Sequence, residues 1–352
     1  MERNLNIDIM KALGIILVIL GHTYYNSSSI YLFHMPLFFI LSGATISYTK
    51  KYSINKKLRS LIIPYFTFSI LSFLYWYFIE SKFRPIHDTP LYLGRLGELP
   101  TSIQQFINIF IAENAINSFA YNVVLWFLPC LFITDLIYSK IQNKKIEWFI
   151  DIIVIILYYS WVKNLPCLPW CLNIAIAAIP FLSIGKHLYK PVEFFLSQDQ
   201  DGRVKRDFIT FLIATCCMGI IIKYIDPHVD MKNNNIPLIF YVTACIGSLM
   251  ILCTAQIIAR LFPTKGIQSI LYIGQNSLII MCIHEPLKRI ILVIVSKLCN
   301  IPTDALRENL IYSIVVTFII LLACLPFIHL INNNIPWIIG KKFPTKRISN
   351  IQ

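Results

Sequence analysis

Long apolar runs separated by short polar clusters recur from one end of the chain to the other. Most of the runs approach the roughly 20 residues that a helix needs to cross a bilayer. The pattern predicts about ten membrane segments, at Ile9–Tyr25, Ile30–Tyr48, Leu61–Ile79, Tyr121–Tyr138, Trp148–Val162, Cys171–His187, Phe208–Ile222, Leu238–Ile258, Ile267–Ile283 and Leu310–Leu330. Phe106–Ala112 is too short to span and is expected to lie at the interface or to re-enter. Ile290–Leu298 is similarly short and is expected to extend or follow the ninth segment. No repeat, low-complexity tract or soluble stretch interrupts the pattern. The chain therefore reads as all-α, a polytopic transmembrane helical bundle forming one domain over residues 1–352.

Composition agrees with this reading. The chain is 57% hydrophobic and 14% charged, against about 25% charged in soluble domains. Its net charge of +13 does not point to nucleic acid, because the basic residues sit in short loops between apolar segments. Lys and Arg are about twice as frequent in the loop set that contains Arg3, Lys50–Arg59, Lys140–Lys145, Lys186–Arg206, Arg260–Lys265 and Lys341–Arg347 as in the other set. That bias predicts both termini in the cytoplasm. The first apolar run carries Lys11 and His22 and lacks a small-x-small cleavage pattern, so it reads as a retained helix. Most of the ten cysteines lie singly in apolar runs. Cys167 and Cys171 share a short loop and leave a disulfide open if that loop faces an oxidising compartment.

The first segment carries the sharpest chemical signal. Asp8, Lys11 and His22 interrupt an otherwise apolar helix. Eleven residues at about 100° each bring Lys11 and His22 to within ~20° of one another, separated by ~16 Å along the axis. Ionisable groups at such depth usually face a cavity or a partner. A plainer reading pairs Asp8 with Lys11 at the interface and gives His22 a hydrogen bond between helices. The second segment descends through His34, and the short loop Asn26–Ser29 makes it the antiparallel neighbour of the first. His22 and His34 should then lie at similar depth and converge on one cavity. His284, at the expected outer end of the ninth segment, is a third histidine at that level. A metal site is the lesser reading of these histidines, because no cysteine or carboxylate ligand spacing accompanies them, and no metal is expected.

These motifs resemble acyltransferase family 3, in the branch related to fucose 4-O-acetylases. Lys11-x10-His22 is similar to the Arg/Lys-x10-His motif that opens the family, and Phe33-His34-Met35-Pro36-Leu37-Phe38-Phe39-Ile40-Leu41-Ser42-Gly43 to its second-helix motif. Lys56-Lys57-Leu58-Arg59 before Pro64 resembles its basic inner loop, with Lys56 where many members carry arginine. Leu125-Trp126-Phe127-Leu128-Pro129, Pro180-Phe181, Gly185 and Ile273-Gly274-Gln275-Asn276-Ser277-Leu278 follow in the expected order.

The resemblance implies a membrane-bound O-acetyltransferase of the bacterial cytoplasmic membrane. Such an enzyme moves acetyl from acetyl-CoA to a sugar hydroxyl of a polysaccharide or lipid-linked glycan. Lys11, Lys56, Lys57 and Arg59 would meet the phosphates of CoA at the inner surface, although positive-inside topology alone also accounts for a basic loop. His22 would act as base for the hydroxyl proton, with His34 as substrate ligand or second proton carrier. Trp126, Asn276, Ser277 and His284 would contact the acceptor, and the first three read equally as packing or anchoring residues. A different class, an exporter whose polar stripe lines a substrate path, would more often show repeats or paired broken helices.

Overall fold

The computed structural model describes residues 4–46, 53–80, 82, 101–112, 121–142, 146–197, 203–226, 229–232, 234 and 236–341. The Tyr48 end of the second expected segment lies outside them, as do Arg3, Lys50, Lys51, Arg84, Arg95, Lys144, Lys145, Lys342, Lys346 and Arg347 from the orientation count. Among the described residues the chain is helical, without a sheet. The longer helices are α1 (Leu5–Thr23), α2 (His34–Ala44), α3 (Ile63–Tyr75), α4 (Ser102–Ile111), α5 (Phe127–Ile141), α6 (Glu147–Ser160), α7 (Leu172–Ser197), α8 (Arg203–Ile222), α9 (Ile239–Leu261), α10 (Gln268–Gln275), α11 (Ser277–Cys299) and α12 (Leu310–Asn334).

Six helical stretches among the described residues are long and apolar enough to cross a membrane: Leu5–Thr23, Ile54–Glu80, Val123–Ile141, Pro169–Leu196, Ile239–Leu261 and Leu310–Asn334. The other four expected segments differ for separate reasons. The second is divided into a turn at Ser28–Tyr31 and the short α2. The fifth, α6, has only 14 residues. The seventh, α8, includes Arg203, Lys205, Arg206 and Asp207 in its first turns. The ninth is broken at Asn276, whose φ of −111° and ψ of 15° end α10 and start α11. The stretch Ile290–Leu298 is the second half of α11. Phe106–Ala112 lies mostly on α4, an amphipathic helix that opens on a Thr101–Gln104 capping box and packs aromatic rings on the Ile54–Glu80 helix, Phe106 against Phe73 and Phe110 against Phe66. The expected basic inner loop is also helical, because Lys56, Lys57 and Arg59 occupy the first turns of the Ile54–Glu80 helix.

α1 is the hub of the bundle, contacting α2, α9, α10, α11 and α12. α12 is peripheral: it is the most hydropathic and the least buried of the six. Its exposed Ile311, Ile314, Val315 and Phe318 suit a lipid-facing surface. Two glycines explain how α2 meets α7. A Cβ at Gly43 would stand 2.1 Å from the Leu182 carbonyl oxygen, and one at Gly185 would stand 1.9 Å from that of Ile40. Small residues are what allow backbones to approach this closely inside a membrane. Gly185→Val should therefore destabilise the protein by at least the ~1–3 kcal/mol of ordinary overpacking. Gly219→Val, with nothing within 4 Å of its Cβ position, should leave the thermal midpoint in detergent unchanged. Equal midpoints for the two variants would contradict this account of the crossing.

Cys167 and Cys171 are not bridged. The buried Cys171 thiol instead donates to the Ala112 carbonyl at 3.2 Å, which turns it away from a disulfide.

Candidate active site

The last carbonyls of a helix have no partner within it, and at the end of α1 other segments supply them. Ser27 Oγ and the Tyr31 hydroxyl donate to the Gly21 carbonyl at 2.8 and 3.2 Å. Lys288 Nζ and Arg307 Nη2 each donate to the His22 carbonyl at 3.2 Å. Arg307 Nε donates to that of Thr23 at 3.2 Å. Cations also suit the negative end of the helix dipole. His22 thus sits on a helix end gripped from three directions through its backbone, which leaves its imidazole available.

Three further rings gather around that imidazole. Tyr31 lies edge-on to His22 with centroids 6.2 Å apart, and edge-on to His34 at 5.0 Å. His284 stands 5.7 Å from His22 with its plane tilted by 37°. His22 and His34 thus lie on either side of one ring, that of Tyr31, and His284, expected only at the same level, stands against His22. His34 and His284 are buried, and each points Nδ1 at the carbonyl four residues earlier, Ile30 at 2.8 Å and Ile280 at 2.9 Å. A carbonyl only accepts, so Nδ1 carries the proton and Nε2 is the bare nitrogen in the neutral ring. Nε2 of His284 is buried without a hydrogen-bond partner.

Beside the histidines lies a charged network that the sequence reading missed. Glu285 accepts from Lys288 Nζ at 2.9 Å and from Arg289 Nε at 3.3 Å, and Arg289 Nη1 reaches Glu80 at 3.1 Å. All four side chains are buried. The hydropathy pattern, whose ninth segment ends at Ile283, places Lys288 and Arg289 in the less basic, outer loop set. Instead α11 runs through Pro286. A proline deprives the carbonyl four residues earlier of its helical partner, and Asn122 Nδ2 donates to that carbonyl, Cys282, at 2.8 Å. The detectable signal was the spacing itself: Glu285, Lys288 and Arg289 at i, i+3 and i+4 share one helix face.

Of the remaining expected site residues, Lys11, Asn276 and Ser277 form a second group. α10 lies directly against α1, because a Cβ at Gly274 would stand 1.9 Å from the Asp8 carbonyl oxygen. Gln275 Nε2 reaches Asp8 at 3.5 Å. Asn276 bonds the Tyr272 carbonyl and receives Asn332 Nδ2, both at 2.8 Å, and Lys341 Nζ donates to Asn332 at 3.0 Å. Asn276 and Ser277 therefore belong with Asp8 and half-buried Lys11, about 10 Å along α11 from His284 at 1.5 Å per residue. Lys56 and Arg59 are exposed, whereas Lys57 is bound to buried Asp135 at 2.5 Å. Trp126 is buried, edge-on to Phe127, and packs as a core residue. The α1 face between the two groups is closed: Ile15, Val18 and Ile19 are at most 1% exposed. Among the described residues, packed side chains fill the face of α1 between Lys11 and His22.

No curated protein and no solved structure matches this chain. A family model described as an acyltransferase domain, that of acyltransferase family 3, matches residues 4–330. That span contains both polar groups of the first helix and every histidine of the cluster. With its apolar spanning helices, the chain is a multi-pass membrane enzyme and belongs to acyltransferase family 3.

Proposed function

We propose that the enzyme transfers acetyl from acetyl-CoA to a sugar hydroxyl of a cell-surface polysaccharide or lipid-linked glycan at a bacterial cytoplasmic membrane. The observation that carries this reading is the convergence of His22, Tyr31, His34 and His284 at one end of a helix whose other end holds Lys11. In this mechanism a ring nitrogen of His22 takes the proton of the acceptor hydroxyl as its oxygen attacks the thioester carbonyl. The carbon–sulfur bond breaks, the thiolate of CoA leaves, and the imidazolium returns the proton to sulfur. His34 and His284, each with Nε2 as an acceptor, suit the binding of neighbouring sugar hydroxyls.

The donor's phosphates favour cations at the Lys11 end. Lys11, Lys56 and Arg59 are the assigned contacts. Lys57 is held by Asp135 and is assigned to the fold. Because Ile15, Val18 and Ile19 close the stripe, the acyl arm reaches His22 only when helices beside α1 part. Glycan mass spectrometry of cells with and without the protein tests the reaction: one acetyl mass per repeat unit should disappear with the protein. An unaltered glycan would refute the assignment. Lys11→Ala and Arg59→Ala should each raise the KM for acetyl-CoA by about tenfold, the equivalent of one lost charge-assisted contact, while the KM for the acceptor stays constant. Unchanged donor affinity in both variants would return these residues to topology or folding.

A further inference from the structure

At one end of α1, three spanning helices stop together around a cavity of about 430 Å³. Leu5 and Asn6 line it from α1, Lys190, Glu193 and Phe194 from α7, and Gln256 and Arg260 from α9. Its position at the ends of spans puts it at the membrane–water boundary, away from the histidine cluster. Its charges have an unusual arrangement. Lys190 is exposed and forms no ion pair among the described residues. Glu193 lies one turn further along the same helix, yet the two do not pair. The Glu193 carboxylate is held instead by neutral donors: Asn4 Nδ2 at 3.1 Å, Asn6 Nδ2 at 2.8 Å and the Tyr189 hydroxyl at 3.1 Å. Gln256, which is 2% exposed, donates its amide to the Glu193 carbonyl at 3.3 Å, leaving Oε1 buried without a hydrogen-bond partner. Arg260 is anchored on buried Asp207 and on the Leu196 carbonyl.

One cavity thus presents, among the described residues, an unpaired ammonium, an anchored guanidinium, a carboxylate held by neutral donors and an amide oxygen without a donor. We propose that this cavity binds the phosphoethanolamine headgroup of a membrane lipid. The phosphate meets Lys190 and Arg260, and the primary ammonium donates toward Glu193 and Gln256. Leu5 and exposed Phe194 form the apolar wall that the acyl chains follow into the bilayer. A choline headgroup has no N–H for these acceptors, and a glycerol headgroup has no cation for Glu193. An anionic headgroup or a nucleotide would meet the carboxylate unfavourably.

The test is native mass spectrometry of the full-length protein, released from detergent containing equal amounts of phosphatidylethanolamine, phosphatidylcholine and phosphatidylglycerol. The ethanolamine lipid should be retained preferentially. Glu193→Gln and Lys190→Gln should each lower its retention by about tenfold, as expected for one lost charge-assisted contact, without altering that of the other two lipids. Preferential retention of phosphatidylglycerol would overturn the proposal in favour of a simple cationic patch. Displacement of the bound lipid by acetyl-CoA would overturn it in favour of a nucleotide site. Equal retention of the ethanolamine lipid by wild type and both variants would remove the cavity from consideration.

Discussion

His22→Ala protein should insert and fold, yet lose acyl transfer by about a hundred- to ten-thousandfold, the range associated with removing a positioned general base. The expectation that the fold survives comes from the way α1 ends. Lys288 and Arg307 hold the carbonyl of His22, and any residue at this position provides one. What the substitution removes is an imidazole that lies perpendicular to the Tyr31 ring at 6.2 Å and tilted by 37° to that of His284 at 5.7 Å. The measurement is the initial rate of thiol release from acetyl-CoA by purified protein with its acceptor, alongside the thermal midpoint. A near wild-type rate would move the base elsewhere, with His284 the next candidate because its Nε2 is bare and unpartnered. A large fall in the midpoint would instead make His22 a packing residue.

The parts of this arrangement visible in the sequence are those set by one helix or one tight connection. The spacing from Lys11 to His22 fixes a shared face through helical geometry alone. The short loop after Tyr25 makes α1 and α2 neighbours, so His22 and His34 could be brought together on paper. Tyr31 was hidden because the second apolar run divides before His34, and Ser28–Tyr31 becomes a separate turn whose tyrosine swings between the histidines. The break at Asn276 was hidden for a similar reason. An asparagine in an apolar run stops a helix only when partners such as the Tyr272 carbonyl and Asn332 satisfy its amide, and those partners come from the fold. Hydropathy misreads α11 because it scores each charge as a preference for water. Glu80 and Glu285 neutralise Lys288 and Arg289 inside the bundle, and Glu80 is supplied from more than two hundred positions earlier in the chain.

That network makes Glu285→Ala the second substitution with a large expected effect. Glu285 is 1% exposed and is the carboxylate shared by Lys288 and Arg289. Arg289 would keep its contacts with Glu80. Lys288 would keep only the His22 carbonyl among its hydrogen-bond partners seen here. Removing one member of a buried ion pair leaves an uncompensated charge, at a loss of about 3–5 kcal/mol. The same principle supplies the control, because replacing both members with apolar side chains is often nearly neutral. Glu285→Leu combined with Lys288→Met should therefore recover most of the thermal midpoint in detergent that Glu285→Ala loses. The double variant should nevertheless remain slow in acyl transfer, because its methionine no longer holds the carbonyl that orients His22. A double variant as unstable as Glu285→Ala would show that this face of α11 contributes through packing shape and not through charge. A double variant with full stability and full rate would free His22 from any dependence on Lys288 and leave Arg307 as the side chain that fixes the end of α1.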